Sequence, residues 1–186
     1  MTVQKWHLIH FPHDSLAFSN KIALLFVMSP GYKYGYIAVG GTFDHMHRGH
    51  KALLSRAFDT GESVFIGLTG DEFVRREGKK IDESFRQRKR DLENYLKKAY
   101  PGRHYEISEL KDRFGPAIFS NKIDAIAVST ETLPAVAVAN KKRKELGLPD
   151  LSVELVPMAM AEDGKKISST RIRAGEVDGE GRVLKS

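Results

Sequence analysis

Short apolar runs alternate with amphipathic segments along most of the chain, and this alternation restricts the possible folds more than any other feature. The apolar runs predict five strands, at residues 36–39, 64–68, 104–110, 124–128 and 152–156. The segments between them predict helices at residues 49–58, 71–77, 85–99, 133–146 and 169–174. Because strands separated by helices pair in parallel, we predict a Rossmann-like, doubly wound α/β fold with a five-stranded sheet and helices on both faces. Ligands are expected beyond the carboxyl ends of the strands.

Residues 1–34 do not take part in this alternation, and they contain the turn-forming stretch Ser29-Pro30-Gly31. We therefore predict an N-terminal extension at residues 1–34 and one α/β domain at residues 35–186. A start of translation at Met28 is one hypothesis for the origin of the extension.

Composition excludes several kinds of site. The chain has no cysteine, so disulfides, thiolate metal sites and a cysteine nucleophile are excluded, and a reducing compartment, the cytoplasm, is expected. No apolar run approaches the ~18 residues that a membrane-spanning helix needs. The formal net charge of +6 favours an anionic partner, and the charge alone leaves nucleic acid, a membrane surface and a phosphorylated metabolite open.

The stretch GGTFDHMHRGH, from Gly40 to His50, follows the first predicted strand and leads into the first predicted helix. In a doubly wound sheet, glycine at this position lets the backbone approach a phosphate. His47 and His50 are three residues apart, so both can face a ligand at the first helical turn, where the helix dipole favours anions. Because imidazole N–H groups add donors, we predict a phosphate-binding site.

Other interpretations of this stretch stay open. The two glycines could form a plain turn, and Thr42 and Asp44 could cap the helix. Closely spaced histidines could bind zinc or nickel, or could have no function. The combination of a glycine turn with paired histidines favours anion chemistry over these interpretations, and we expect no metal site.

A second candidate segment, ISSTRIR, runs from Ile167 to Arg173. It places hydroxyl groups at the start of a predicted helix with two arginines behind them, which suits an anion and equally a plain helix cap. Gly41-Thr42-Phe43-Asp44 followed by His47-x-Gly49-His50, together with this segment, resembles the two signatures of the nucleotidylyltransferase superfamily. Two such signatures at predicted strand-to-helix junctions rarely coincide by chance.

From about residue 36 to the C-terminus the sequence resembles the archaeal-type phosphopantetheine adenylyltransferases of that superfamily. The supporting stretches are GLTGDEFV at 67–74, VSTET at 128–132 and AEDG at 161–164. The resemblance implies an enzyme of coenzyme A biosynthesis with ATP and 4′-phosphopantetheine as partners. The phosphate of 4′-phosphopantetheine would attack the α-phosphorus of ATP, giving dephospho-coenzyme A and pyrophosphate. Mg²⁺ is expected to arrive with ATP, because no acidic cluster resembles a dedicated metal site.

The resemblance also implies roles for residues of the first signature. His50 is the expected donor to the α-phosphate in the transition state, and His47 holds the ATP phosphates. Thr42 bridges toward the acceptor phosphate, while Gly41 and Phe43 belong to the nucleotide site. In the second signature, the residues expected at the β- and γ-phosphates are Ser168, Ser169 and Thr170. Arg171 is expected to face the phosphates, whereas Arg173 is expected at the surface.

The remaining candidates each have a structural alternative. Lys79 and Lys80, in the polar loop after the second strand, are either catalytic or a solvated pair. The residues expected either to border adenine and ribose or to cap a helix are Ser129, Thr130 and Glu131. Nucleotide contact and a plain helix-surface role are both open for Asn140 and Arg143. The charge run Arg86, Arg88, Lys89 and Arg90 indicates a solvated helix face that steers anionic substrates.

Two other functions use the same residues. The acceptor could be nicotinamide mononucleotide, flavin mononucleotide or, with cytidine triphosphate, an alcohol phosphate. A non-enzymatic binder of nucleotide or RNA is disfavoured, because no interleaving of aromatic and basic residues suits base stacking. We therefore expect neither nucleic acid nor a membrane as partner, and the sequence makes no prediction of oligomeric state.

Overall fold

Five parallel strands form the centre of the computed structural model, which describes residues 31–184 apart from the side chains of residues 116 and 118. The strands are β1 (Tyr34–Gly41), β2 (Gly61–Thr69), β3 (His104–Leu110), β4 (Ala125–Ser129) and β5 (Ser152–Val156). They are hydrogen-bonded in the order β3-β2-β1-β4-β5 with parallel pairing throughout. The predicted doubly wound sheet is confirmed, and its order reverses between β1 and β4.

The helices also lie where the sequence predicts them. They are α1 (Arg48–Thr60), α2 (Asp71–Arg76), α3 (Phe85–Ala99), α4 (Leu133–Glu145) and α5 (Ser169–Arg173). A short 3₁₀ helix at Pro116–Phe119 was not predicted. The strands β1 and β2 extend beyond their predicted apolar runs, because their ladder continues from Tyr34 opposite Gly61 to Gly41 opposite Leu68.

The sheet buries apolar side chains on both faces, as a parallel sheet requires. On one face, Ile37 and Val39 of β1 pack in a cluster with residues of α1 and α3, including Leu54 and Leu92. On the other face, Ala38 packs with residues that include Ile123. The 3₁₀ helix, against which α4 packs, lies on this second face. Helices therefore cover both faces, and the carboxyl ends of the strands are left as the edge at which loops gather.

The residues from Tyr32 to Leu184 lie in one compact unit. Most of the predicted extension lies outside the described residues, and so does the hypothesis of a start at Met28. Tyr34, the last residue of the predicted extension, is the first residue of β1. Within residues 31–184, no helix combines the length and hydropathy that crossing a membrane would require.

Candidate active site

A cleft of about 800 Å³ opens where β1, β4 and β5 end, at the point where the strand order reverses. This is the position at which open α/β sheets bind ligands. The predicted site residues that line it are Thr42, His47, His50, Lys79, Lys80, Ser129, Glu131, Ser168, Ser169 and Thr170. The fold therefore brings the two sequence signatures, from opposite ends of the domain, to one cleft.

The turn between β1 and α1 has an unusual backbone. Phe43 and His45 adopt φ values of 50° and 48°, in the left-handed region that non-glycine residues seldom occupy. This turn directs the Phe43 ring into the core, where it is 1% exposed and lies 5.1 Å from the ring of His50. A Cβ atom on Gly41 would approach the Phe43 ring to 3.1 Å. Gly41 and Phe43, predicted to belong to the nucleotide site, shape the turn and support the ring of His50.

His47 and His50 form a stacked pair, with ring centroids 3.8 Å apart and an angle of 23° between the rings. His47 caps α1, because its Nδ1 accepts a hydrogen bond from the backbone N–H of Gly49 at 3.1 Å. Burial, followed by the charges of His45 and Lys51, lowers the pKa of His47 to about 4. Burial, followed by His47, lowers the pKa of His50 to about 3. Both rings are therefore neutral at pH 7, and His47 carries its proton on Nε2.

His50 has a polar atom that the protein does not satisfy. Its Nδ1 is buried and makes no hydrogen bond within the described part of the chain, although the residue lines the cleft. Buried polar atoms in folded proteins nearly always have a partner. His50 therefore lines the cleft with one ring nitrogen that the described part of the chain leaves without a hydrogen-bond partner.

Asp44 joins the two signatures. Its side chain is 1% exposed, and its Oδ2 accepts a hydrogen bond from Arg173 Nη1 at 2.6 Å. Its Oδ1 accepts one from the backbone N–H of Glu83 at 3.3 Å, and its carbonyl oxygen accepts one from Ser169 Oγ at 2.5 Å. Asp44 therefore fastens the turn after β1 both to α5 and to the loop between α2 and α3.

The two arginines of α5 lie differently from the arrangement expected from the sequence. Arg173 was expected at the surface, yet it lines the cleft, because the buried carboxylate of Asp44 requires a cationic partner. Arg171 was expected to face the phosphates, yet its guanidinium donates to Asp163 and Glu176, away from the cleft lining. Arg171 also donates to the carbonyl oxygen of Lys166 at 3.2 Å. It holds the segment before the second signature in place.

The hydroxyl groups of the second signature differ in whether their protons are free to donate to a ligand. Ser168 caps α5 by accepting a hydrogen bond from the backbone N–H of Arg171 at 3.4 Å. Thr170 Oγ1 accepts one from Arg173 Nη2 at 3.3 Å. Neither contact uses the hydroxyl proton, whereas Ser169 donates its proton to the carbonyl oxygen of Asp44. The protons of Ser168 and Thr170 can therefore serve a ligand, and Ser169 holds the signatures together.

Arg88 shows that the predicted solvated face of α3 is only partly solvated. Its side chain is fully buried, and its guanidinium donates to three backbone carbonyl oxygens, those of Thr42, Thr69 and Glu83, at 2.6, 2.8 and 3.1 Å. It also pairs with the carboxylate of Asp71 at 2.7 Å. Arg88 therefore fixes the ends of β1 and β2 and the loop between α2 and α3, which carries both lysines of the cleft.

Three further candidates lie outside the cleft lining. Arg143 is 1% exposed, and the backbone carbonyl oxygens to which it donates are those of Ala117, Ser120, Ile123 and Pro149. The side chain of Asn140 exchanges two hydrogen bonds with the backbone of Leu151. Asn140 and Arg143 therefore hold the loops around α4, and burial excludes the helix-surface role that was left open for Arg143. Thr130 is exposed on the loop after β4.

Lys166 lines the cleft and is not among the residues predicted from the sequence. Its position directly before the second signature was the feature of the sequence from which its place in the cleft could have been predicted. Between residues 31 and 184, no three or more histidine, aspartate or glutamate side chains are grouped closely enough to hold a metal ion.

The chain is similar to known proteins in its family model, its sequence and its structure. Residues 38–175 match the model of the cytidylyltransferase-like family. The phosphopantetheine adenylyltransferase of Methanopyrus kandleri is 43% identical over 151 residues, which cover 81% of this chain and 96% of that protein. The phosphopantetheine adenylyltransferase of Methanothermobacter thermautotrophicus is 42% identical, covering 82% and 92%. A protein of unknown function from Archaeoglobus fulgidus has a similar structure, with a TM-score of 0.60, 29% identity and coverage of 65% and 88%.

Proposed function

The chain belongs to the cytidylyltransferase-like family, and from this premise we propose that it transfers the adenylyl group of ATP to 4′-phosphopantetheine. The products are dephospho-coenzyme A and pyrophosphate, in the biosynthesis of coenzyme A. The observation that most supports the proposal is that both signatures line one cleft. The acceptor is supported by relatives about 40% identical over most of the chain that are named phosphopantetheine adenylyltransferases.

The proposed reaction needs no nucleophile from the protein. A phosphate oxygen of the acceptor forms a bond to the α-phosphorus of ATP, and the bond from that phosphorus to the oxygen bridging to the β-phosphate breaks. The electron pair leaves with pyrophosphate. Two anions must be aligned and the charge on the transferred group stabilised, and alignment can lower the barrier by about 7–11 kcal/mol. Each preorganised donor contributes about 3 kcal/mol more.

The cleft supplies these donors as neutral and charged groups. His50 is proposed as the donor to the α-phosphate in the transition state, and His47 as a donor to the ATP phosphates. Thr42 is proposed at the acceptor phosphate. Because both imidazoles are neutral, positive charge has to come from ammonium groups, for which Lys79 and Lys80 are placed on the cleft wall. A catalytic role for one of these lysines is part of the proposal.

Several further features complete the proposal. Ser129 lines the cleft at the end of β4, where adenine and ribose are proposed to lie, and Glu131 lines it on the loop that follows. Mg²⁺ is proposed to enter as the complex with ATP, since the leaving pyrophosphate carries high charge. The cytoplasm is the proposed location, in line with a chain that has no cysteine.

A pyrophosphate-release assay with ATP and a panel of acceptors tests the acceptor. We expect turnover with 4′-phosphopantetheine, and none of comparable rate with nicotinamide mononucleotide or flavin mononucleotide. Turnover with either mononucleotide and none with 4′-phosphopantetheine would assign a different acceptor. If no acceptor gives pyrophosphate release although ATP binds, the result would indicate a nucleotide-binding protein instead of an enzyme.

His50→Ala tests the proposed chemistry. Loss of a transition-state donor should lower kcat about 10²- to 10³-fold while the Kd for ATP stays within a few-fold. His104→Ala is the matched control, because His104 is exposed and lies outside the cleft lining. Equal kcat values for the two variants would remove His50 from the proposal.

A further inference from the structure

Lys166 is a lysine of the cleft with no part in the reaction outlined above. It lies two residues before Ser168, and its Nζ is 2.6 Å from Glu131 Oε1, on the loop after β4. Both side chains line the cleft, and they are 48% and 59% exposed. The ion pair therefore links two of the segments between which a nucleotide would have to lie.

The backbone around Lys166 is held firmly. Lys166 forms an antiparallel bridge with Met160, and the backbone N–H of Ile167 donates to the carbonyl oxygen of Ala159 at 2.8 Å. Ile167 is 3% exposed and anchors this hairpin in a small apolar cluster. The carbonyl oxygen of Lys166 accepts a hydrogen bond from Arg171 at 3.2 Å. These contacts fix where the Lys166 side chain starts, so that only its flexible end has to move when its partner changes.

The charges of the cleft favour such a change of partner. The ionised residues in its lining are Asp44, Lys79, Lys80, Glu131, Lys166 and Arg173. Asp44 and Arg173 neutralise each other, which leaves three lysines and one glutamate. An exposed ion pair contributes little to stability, whereas a lysine bound to a phosphate makes a strong charge-assisted hydrogen bond. A polyphosphate entering the cleft therefore competes well with Glu131 for the ammonium group.

We propose that Lys166 binds the β- and γ-phosphates of the nucleotide and that, before ATP enters, Glu131 occupies the place of these phosphates. This inference rests on the proposed use of ATP and adds a polyphosphate-binding residue to the site. It also reverses the expected effect of Glu131, because a carboxylate that must be displaced opposes nucleotide binding, whereas a ribose contact would favour it.

Calorimetric titration with MgATP, without acceptor, tests the inference. Lys166→Met should raise the Kd for ATP about tenfold, equivalent to about 1.4 kcal/mol. Glu131→Gln should lower it by up to about fivefold, the range measured for exposed ion pairs. The Kd for AMP should be the same in wild type and Lys166→Met, because AMP lacks the β- and γ-phosphates. Lys165→Met is the matched control, since Lys165 is exposed on the same hairpin and lies outside the cleft lining.

Three results would overturn the inference: equal ATP affinities for Lys166→Met and Lys165→Met, weaker ATP binding by Glu131→Gln, or an equal loss of AMP and ATP binding in Lys166→Met. Melting temperatures of the variants verify that these exposed substitutions leave the fold intact. If ATP binds but 4′-phosphopantetheine is not adenylylated, the proposed function fails while the Lys166 result stands. If wild type does not bind ATP, both fail.

Discussion

The carboxylate of Asp44 allows a quantitative test of how the two signatures are joined. In Asp44→Ala, Arg173 loses its partner at 2.6 Å and the N–H of Glu83 loses its acceptor, while the bond from Ser169 to the backbone carbonyl is kept. Hydrogen bonds to charged groups contribute about 1.5–3 kcal/mol each, and removing one partner of a buried pair costs about 3–5 kcal/mol. We therefore expect the free energy of unfolding to fall by about 3–5 kcal/mol, a large part of the 5–15 kcal/mol typical of a domain.

Urea unfolding at pH 7 measures this loss, with Arg113→Ala as the control. Arg113 makes an ion pair with Glu77 at 2.8 Å, but the two side chains are 60% and 34% exposed. Removing this exposed pair should cost less than about 1 kcal/mol. If Asp44→Ala lies within 1 kcal/mol of Arg113→Ala, the buried carboxylate does not hold the signatures together and the reasoning is refuted.

Two further predictions concern stability. The first is for Arg143, which is buried away from the proposed reaction, and the second is for the histidine pair His47 and His50. Arg143→Met should lower the free energy of unfolding by at least about 3 kcal/mol in urea, because four carbonyl oxygens lose their donor, and a loss below 1 kcal/mol would contradict this. The pKa values of His47 and His50, about 4 and 3, lie below the ordinary value of 6.5, so the unfolded chain takes up protons first as the pH falls. The contribution of the two neutral histidines to the free energy of unfolding is complete above pH 6.5. It should decline by about 1–2 kcal/mol for each histidine by pH 5. Urea unfolding at pH 7 and pH 5 should show this decline in wild type and not in the double variant His47→Gln/His50→Gln, and equal declines in the two would contradict the assignment.

Hydrophobic periodicity was sufficient to predict the strands and the longer helices, because the sheet buries continuous apolar runs and the helices carry one apolar face. It also placed both signatures in connections that lead from a strand to the next helix, and such connections gather beyond the carboxyl ends of the strands. The 3₁₀ helix at Pro116–Phe119 was missed, because four residues are too short to show a period. The extension of β1 to Tyr34 was missed because backbone pairing leaves no apolar signal there.

The directions of charged side chains could not be predicted, because their partners come from distant segments. Arg171 and Arg173 are two residues apart on one short helix, so they point in different directions. Which of them faces the cleft depends on their partners, Asp163 for Arg171 and Asp44 for Arg173. Arg88 and Arg143 look like surface cations in the sequence, yet backbone carbonyl oxygens of remote loops surround each of them. Such carbonyl groups have no residue type, so local sequence contains no sign of them.

A crystal structure of the protein with α,β-methylene ATP, a non-hydrolysable analogue, tests most directly whether the two signatures act on one triphosphate. We predict the α-phosphate within hydrogen-bond distance of the His50 ring, and the β- and γ-phosphates next to the hydroxyl groups of Ser168 and Thr170. Phosphates bound outside the cleft between His50 and Thr170, with these groups left without a ligand, would contradict the account.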